Sequence, residues 1–255
     1  GVECVAATIY GSHVRGYSLP TSDHDIALIY KHVDKTILEQ STQLRLATVL
    51  DGRTYDVHAM ELLHFVRSLA AGNQHSYLML FGKPLQRPVL FQDLRLALLR
   101  TEQGRKMVVY RLTQASAGGM RAERSEKELS KAHSTATYMF LMATAATNPA
   151  WFGDSSVNFR NFNNYINYSL GLPEPITDKL RKLVGPYADD LVAGARFPLT
   201  LEQKSVIEEA SKWLYESNRY DFRPIVDEGQ VKKTNGDENY LTRSLTRVLI
   251  EHGEL

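Results

Sequence analysis

The sequence predicts an α+β fold in which strands come first and helices follow, and three observations carry that expectation. Short apolar runs with strand-like patterning crowd before residue 60, at 5–10, 23–30 and 54–59. Longer segments with apolar residues at three- and four-residue spacing fill most of the chain after residue 90. At 255 residues the chain is long enough for one large domain or two modest ones, each burying its own core.

The elements follow in order. Residues 5–10 (Val-Ala-Ala-Thr-Ile-Tyr) form a buried strand that stops at Gly11-Ser12, where a turn or helix can begin. Pro20-Thr21-Ser22 is a second turn, and residues 23–30 are the next strand. A short helix is expected at 35–40, while 43–50 stays open between helix and strand. Residues 54–59 alternate as a third strand, and 61–71 carry Leu62, Phe65, Val66 and Leu69 on one helical face. Pro84 and Pro88 place a boundary near residue 90, which gives domains of 1–90 and 91–255. The second holds expected helices at 94–112, 123–146, 177–183 and 201–216. Residues 148–164, rich in Asn with Pro, Gly and Asp, read as a loop. The polar stretch 221–239 reads as a mobile segment before a last helix at 240–252.

Composition removes several function classes. With 30 basic and 29 acidic side chains the formal charge is +1, so any affinity for a polyanion must come from local patches. The single cysteine, Cys4, excludes an internal disulfide and a multi-cysteine zinc site, and it suits a reducing compartment, so a cytoplasmic location is expected. No apolar run approaches the ~20 residues of a bilayer span. No basic region precedes the first strand, so no signal peptide is expected, and Gly1 in place of Met points to a chain trimmed at its start.

The chemistry is concentrated in Gly11-Ser12-His13-Val14-Arg15-Gly16, a spacer, and Asp23-His24-Asp25. Two carboxylates one residue apart on a strand share a face, because side chains alternate with period two. They can then share a hard divalent cation, and Mg²⁺ or Mn²⁺ is the expected cofactor. A third carboxylate from a neighbouring strand would complete a site for in-line phosphoryl displacement, and Asp56 is the candidate. Gly11 lets the backbone approach a phosphate, with the Ser12 hydroxyl and nearby N–H groups as donors. Arg15 would add a charge-assisted contact to the same triphosphate. A lone Gly-Ser or Asp-x-Asp is more often a solvated turn, whereas the combination at this spacing is specific.

On these residues the sequence resembles the DNA polymerase beta nucleotidyltransferase superfamily, whose pattern is Gly-Ser, a spacer, Gly, then Asp-x-Asp. It is most similar to the RNA repair pathway (RNA ligase-associated) nucleotidyltransferases, which carry Ser-Asp-x-Asp as in Ser22–Asp25. The likeness extends through Asp56, residues 61–69 and 77–84, and thins over the helical remainder. It implies a small mixed sheet backed by helices as the catalytic core, followed by a mostly helical domain. It also implies transfer of a nucleoside monophosphate, from ATP or another nucleoside triphosphate, to an acceptor hydroxyl, with an RNA end as the foremost acceptor. Asp23, Asp25 and Asp56 would hold the metal, and Gly11, Ser12, Arg15, Ser22 and Lys131 would contact the nucleotide. The Leu129-Ser130-Lys131-Ala132-His133 run and Tyr138 match the family's helical motif loosely, which leaves the acceptor open.

Other candidates divide between chemistry and packing. His24 faces away from its acidic neighbours and reads as a core residue. His58 shares the Asp56 face, and His13 sits in a polar loop where phosphate contact and simple exposure are equal readings. His64, His75 and His133 show no metal-ligand spacing. Arg121, Arg124, Lys127 and Lys131 line one helical face that either tracks a nucleic-acid backbone or, with Glu123, Glu126 and Glu128 between them, is merely solvated. Phe159, Phe162, Tyr165 and Tyr168 read first as core and second as a stacking surface. Three functions stay open: transfer to RNA, transfer to a protein or small-molecule hydroxyl (AMPylation), and a silent nucleotide-binding module.

Overall fold

The computed structural model describes residues 1–33, 43–121, 125–148, 157–218, 226–227, 230–231 and 236–254. The protein is α+β, with one five-stranded mixed sheet and a helical C-terminal region. The chain divides into two units: residues 1–11, 21–104 and 220–255 make the first, and residues 12–20 and 105–219 the second. Helices beyond residue 90 thus belong to both units.

In the first unit five strands, β1 (Val2–Tyr10), β2 (His24–His32), β3 (Gln43–Leu50), β4 (Arg53–Glu61) and β5 (Lys83–Gln86), lie in the sheet order β3-β4-β2-β1-β5. Strands β1 and β4 cover the expected strands and extend them, whereas β2 starts one residue later than expected, leaving Asp23 ahead of it, and runs on to His32. Residues 43–50, open between helix and strand, form β3 (Gln43–Leu50). It pairs antiparallel with β4 across the two-residue turn Asp51-Gly52, whose positive φ values of 51° and 72° are those of a type I′ hairpin. Strand β2 runs parallel to β4 and antiparallel to β1.

Helix α2 (Leu62–Ala70) packs on β2 and β4, and α3 (Gln74–Leu80) packs on β1. The α2 residues Leu62, Phe65, Val66 and Leu69 are all buried, which is the stripe their spacing predicts. Each helix starts on a side-chain cap: Glu61 accepts from the His64 N–H at 2.7 Å, and Asn73 from the His75 and Ser76 N–H groups. Strand β5 (Lys83–Gln86) and α4 (Pro88–Leu99) follow. Pro88 opens α4 instead of ending a domain, because its missing N–H costs nothing in a first turn. The last helix, α11 (Gly236–Glu251), packs on α4 and α2 through Leu241, Leu245 and Leu249. Its start lies ahead of the expected 240. Most of 221–239 and all of the expected 35–40 helix lie outside the described residues; between them, β6 (Val226–Asp227) pairs with β7 (Gln230–Val231).

The second unit is built around α6 (Glu126–Ala146), which is buried on nearly every side from Ala136 onward. Helix α1 (Ser12–Arg15) and α5 (Glu102–Met120, from residue 105) belong here, so the expected 94–112 helix is two helices broken at residues 100–101. The expected loop 148–164 is partly helical. Residues 149–156 lie outside the described set, but Phe159–Asn161 form a 3₁₀ turn that leads into α7 (Phe162–Asn167). Burial of Phe159, Phe162, Tyr165 and Ile166 overrides the Asn-rich composition, and only Tyr168 of the aromatic series stays exposed. The expected 177–183 helix is longer and irregular: α8 (Glu174–Lys179), a π turn at Leu180–Val184 and α9 (Gly185–Val192). Helix α10 (Leu201–Ser217) begins on a capping box of Thr200 and Gln203.

Candidate functional site

The first unit brings Asp25 and Asp56 together. They are register partners on the parallel strands β2 and β4, so their side chains leave the same sheet face from adjacent strands, ~4.8 Å apart at the backbone. Tyr10 on β1 and Ala47 on β3 complete this row across the sheet. Both carboxylates are half-buried. Asp23 is one residue ahead of β2 and exposed, and Ser22 precedes it in the turn. Among the described residues no three His, Cys, Asp or Glu side chains converge as a group able to hold a metal ion.

Gly11 closes β1 against this pair. Its φ is +71°, in the left-handed region that glycine enters without penalty. A Cβ there would lie 1.7 Å from Asp25 Oδ2, so the Asp25 carboxylate rests directly over the Gly11 backbone. Glycine is required twice at this position, by the dihedral and by the acid above it.

Beneath the pair, on the same face, runs a chain of polar rings. His58 is two residues beyond Asp56 and only 9% exposed. Arg45, opposite it on β3, donates through Nε to His58 Nε2. His58 Nδ1 lies 2.5 Å from His75 Nε2, the rings edge to face. With Nε2 accepting, the proton of a neutral His58 sits on Nδ1, directed at His75. Burial, reinforced by the Arg45 charge and opposed by Asp56, pushes the His58 imidazole below its ordinary value. His75 also meets the Tyr10 ring at 5.5 Å. Nothing local in the sequence points to Arg45, and His75 shows no metal-ligand spacing there; only the β3–β4 register and the α3 packing bring the two to His58. His24 stacks on Tyr55 with ring centroids 5.2 Å apart, on the face away from the acids.

The other nucleotide-contact candidates, Ser12, Arg15 and Lys131, lie in the second unit. Arg15 is 9% exposed. Its Nη1 donates to Tyr17 Oη at 3.0 Å and to Thr135 Oγ1 at 2.9 Å, and its guanidinium lies 5.1 Å from the Tyr138 ring centroid. Arg196 donates to the Tyr17 carbonyl and covers the Tyr17 ring. Burial alone would raise the Tyr17 phenol, but Arg15, Ser134 and Arg196 outweigh it and hold it below the usual value. Lys131 is exposed on α6, and His133 beside it is buried, its Nδ1 accepting the Leu199 N–H at 3.1 Å. Arg124 and the Lys127 side chain lie outside the described residues.

Neither a family model nor a curated protein matches the chain. Among solved structures, the nucleotidyltransferase-like protein from Exiguobacterium sibiricum is similar over 99% of this chain and 86% of its own, at 11% identity and a TM-score of 0.28.

Proposed function

We propose that this protein is a metal-dependent nucleotidyltransferase that moves a nucleoside monophosphate from a nucleoside triphosphate to the hydroxyl of an RNA end, releasing pyrophosphate. The observation that carries the reading is the parallel register of Asp25 and Asp56 on one face, with Gly11 held open beneath Asp25. This donor set suits Mg²⁺ or Mn²⁺, hard cations that settle for one or two carboxylates when phosphates and water complete the shell. Asp25 and Asp56 would hold the ion, and Asp23 is the third ligand in this reading. The ion would supply charge neutralisation for the departing pyrophosphate. In this reading phosphate oxygens of the triphosphate and water supply the cation's further ligands.

Of the first unit's own groups, the Gly11 backbone N–H would receive phosphate oxygens, with Ser22 as a further contact. Asp56 would take the proton of the attacking hydroxyl. The test is incubation with each of the nucleoside triphosphates labelled at the α-phosphate, plus RNA, DNA or no added acceptor. Label transferred to RNA by the wild type and lost in Asp25→Asn supports the reading. Label on the protein alone would replace RNA by a protein hydroxyl, and no transfer to any acceptor would count against turnover.

A further inference from the structure

The carboxylate chemistry leaves the neighbouring chain of Arg45, His58 and His75 without a task. The register fixes where that chain lies. Tyr10, Asp25, Asp56 and Ala47 form one row across the sheet, and Thr8, Ala27, His58 and Arg45 form the next on the same face. Arg45 is therefore the diagonal neighbour of Asp56, ~7–8 Å away at the backbone. Ala47, directly beside Asp56, brings only a methyl group. His58 donates from Nδ1 to His75 Nε2 and accepts from Arg45 Nε at its own Nε2, so its tautomer is set from both sides. Through that bond the buried imidazole orients the exposed guanidinium. With Nε engaged, the Nη1–Nη2 edge of the fork is left for a bidentate contact. Among the described residues neither Nη donates to another group, and no carboxylate pairs with Arg45. Capping His58 takes one N–H; the charge and the outer edge of the fork go beyond that need.

Strand order gives the two substrates opposite sides of the carboxylate pair. Gly11 closes β1 against Asp25, so the triphosphate of the proposed reaction lies on the β1–β2 side. The attacking hydroxyl, whose proton goes to Asp56, then arrives from the side of β4 and β3. In a nucleic-acid end the phosphate nearest the terminal hydroxyl is one sugar away, on the strand that leads off from the site. Arg45 is a cation on that side, and β3 holds no acid to compete for it. We propose that Arg45 binds the phosphodiester preceding the terminal ribose of the acceptor through its Nη1–Nη2 edge, and that His58 and His75 position it. This role rests on the nucleotidyltransferase reading above and narrows its acceptor to a strand that ends in a phosphodiester-linked ribose. Such a contact positions the end without reading its sequence.

Transfer kinetics on RNA acceptors of one sequence test it. One strand is unmodified, one carries a neutral methylphosphonate at its last linkage, and one carries it in mid-strand. For the wild type the terminal methylphosphonate should raise the acceptor KM about ten- to a hundredfold, the range of a lost charge-assisted hydrogen bond, and the mid-strand one should not. Arg45→Ala should raise KM for the unmodified acceptor by a similar factor, with KM for the triphosphate unchanged. It should lose nothing further on the terminal methylphosphonate, because both changes remove the same contact. His75→Ala, which releases the His58 ring, should raise the acceptor KM by a smaller factor that also vanishes on that strand. The wild-type comparison decides even where a variant fails to fold. Equal losses from the terminal and mid-strand methylphosphonates, additive losses in Arg45→Ala, or a rise in KM shared equally by triphosphate and acceptor overturns the role of Arg45 and leaves transfer to RNA standing. No transfer to any RNA by the wild type overturns both.

Discussion

At residue scale, four positions separate structural from chemical roles. Asp25→Asn and Asp56→Asn should each lower nucleotidyl transfer by about a hundredfold or more, in keeping with several kcal/mol of lost charge stabilisation. Their melting temperatures should hold or rise, because each removes one of two neighbouring acids. Gly11→Ala carries a different expectation. Its +71° dihedral costs about 1 kcal/mol for alanine, and the new methyl displaces the Asp25 carboxylate, so stability and turnover fall together. Arg15 is the discriminating case. If its bonds to Tyr17 and Thr135 are its main work, Arg15→Ala costs about 1.5–3 kcal/mol in urea unfolding. If it holds the triphosphate, KM rises at unchanged stability. The geometry favours the first outcome.

At element scale, the β3–β4 hairpin sets the site, because its register places Ala47 beside Asp56 and Arg45 beside His58. Gly52 takes a left-handed conformation in that turn, so Gly52→Ala should destabilise by about 1 kcal/mol, read as a lower urea midpoint at unchanged slope. How much of this was legible depended on whether a pattern is local. Period two along β2 and β4 assigns Asp25 and Asp56 each to a face, and the α2 stripe is visible in Leu62, Phe65, Val66 and Leu69. Strand β3 is ambiguous because residues 44–50 are exposed on both of its faces, so no burial marks an alternation. The aromatic spacing of Phe159, Phe162 and Tyr165 was visible, yet its Asn-rich setting reads as loop until burial decides. Asp23 was expected on β2, but the strand begins one residue later, at His24. The environment of Arg15 was out of reach, since Thr135 and Tyr138 are more than a hundred residues away in sequence and nothing local announces them.

At the scale of the whole molecule, each unit carries a buried histidine held neutral. Burial is the main cause for both: the Arg45 charge adds to it at His58, where Asp56 partly opposes the shift, and the Lys204 charge adds to it at His133. Their folded values lie below the ordinary 6.5. The unfolded chain therefore binds protons first as pH falls, so stability is full above about pH 6.5 and declines as the medium becomes more acidic. Thermal melts between neutral and mildly acidic pH should show that decline. His133→Asn, which keeps an acceptor for the Leu199 N–H, should flatten part of it. The central claim concerns the carboxylate pair and is tested most directly by Mn²⁺ binding, followed by electron paramagnetic resonance with and without a non-hydrolysable nucleoside triphosphate. The account predicts weak binding of Mn²⁺ alone, tight binding once the triphosphate is added, and loss of the added affinity in Asp25→Asn and Asp56→Asn. Triphosphate-dependent binding that survives both substitutions, or no gain on adding the triphosphate, would contradict it.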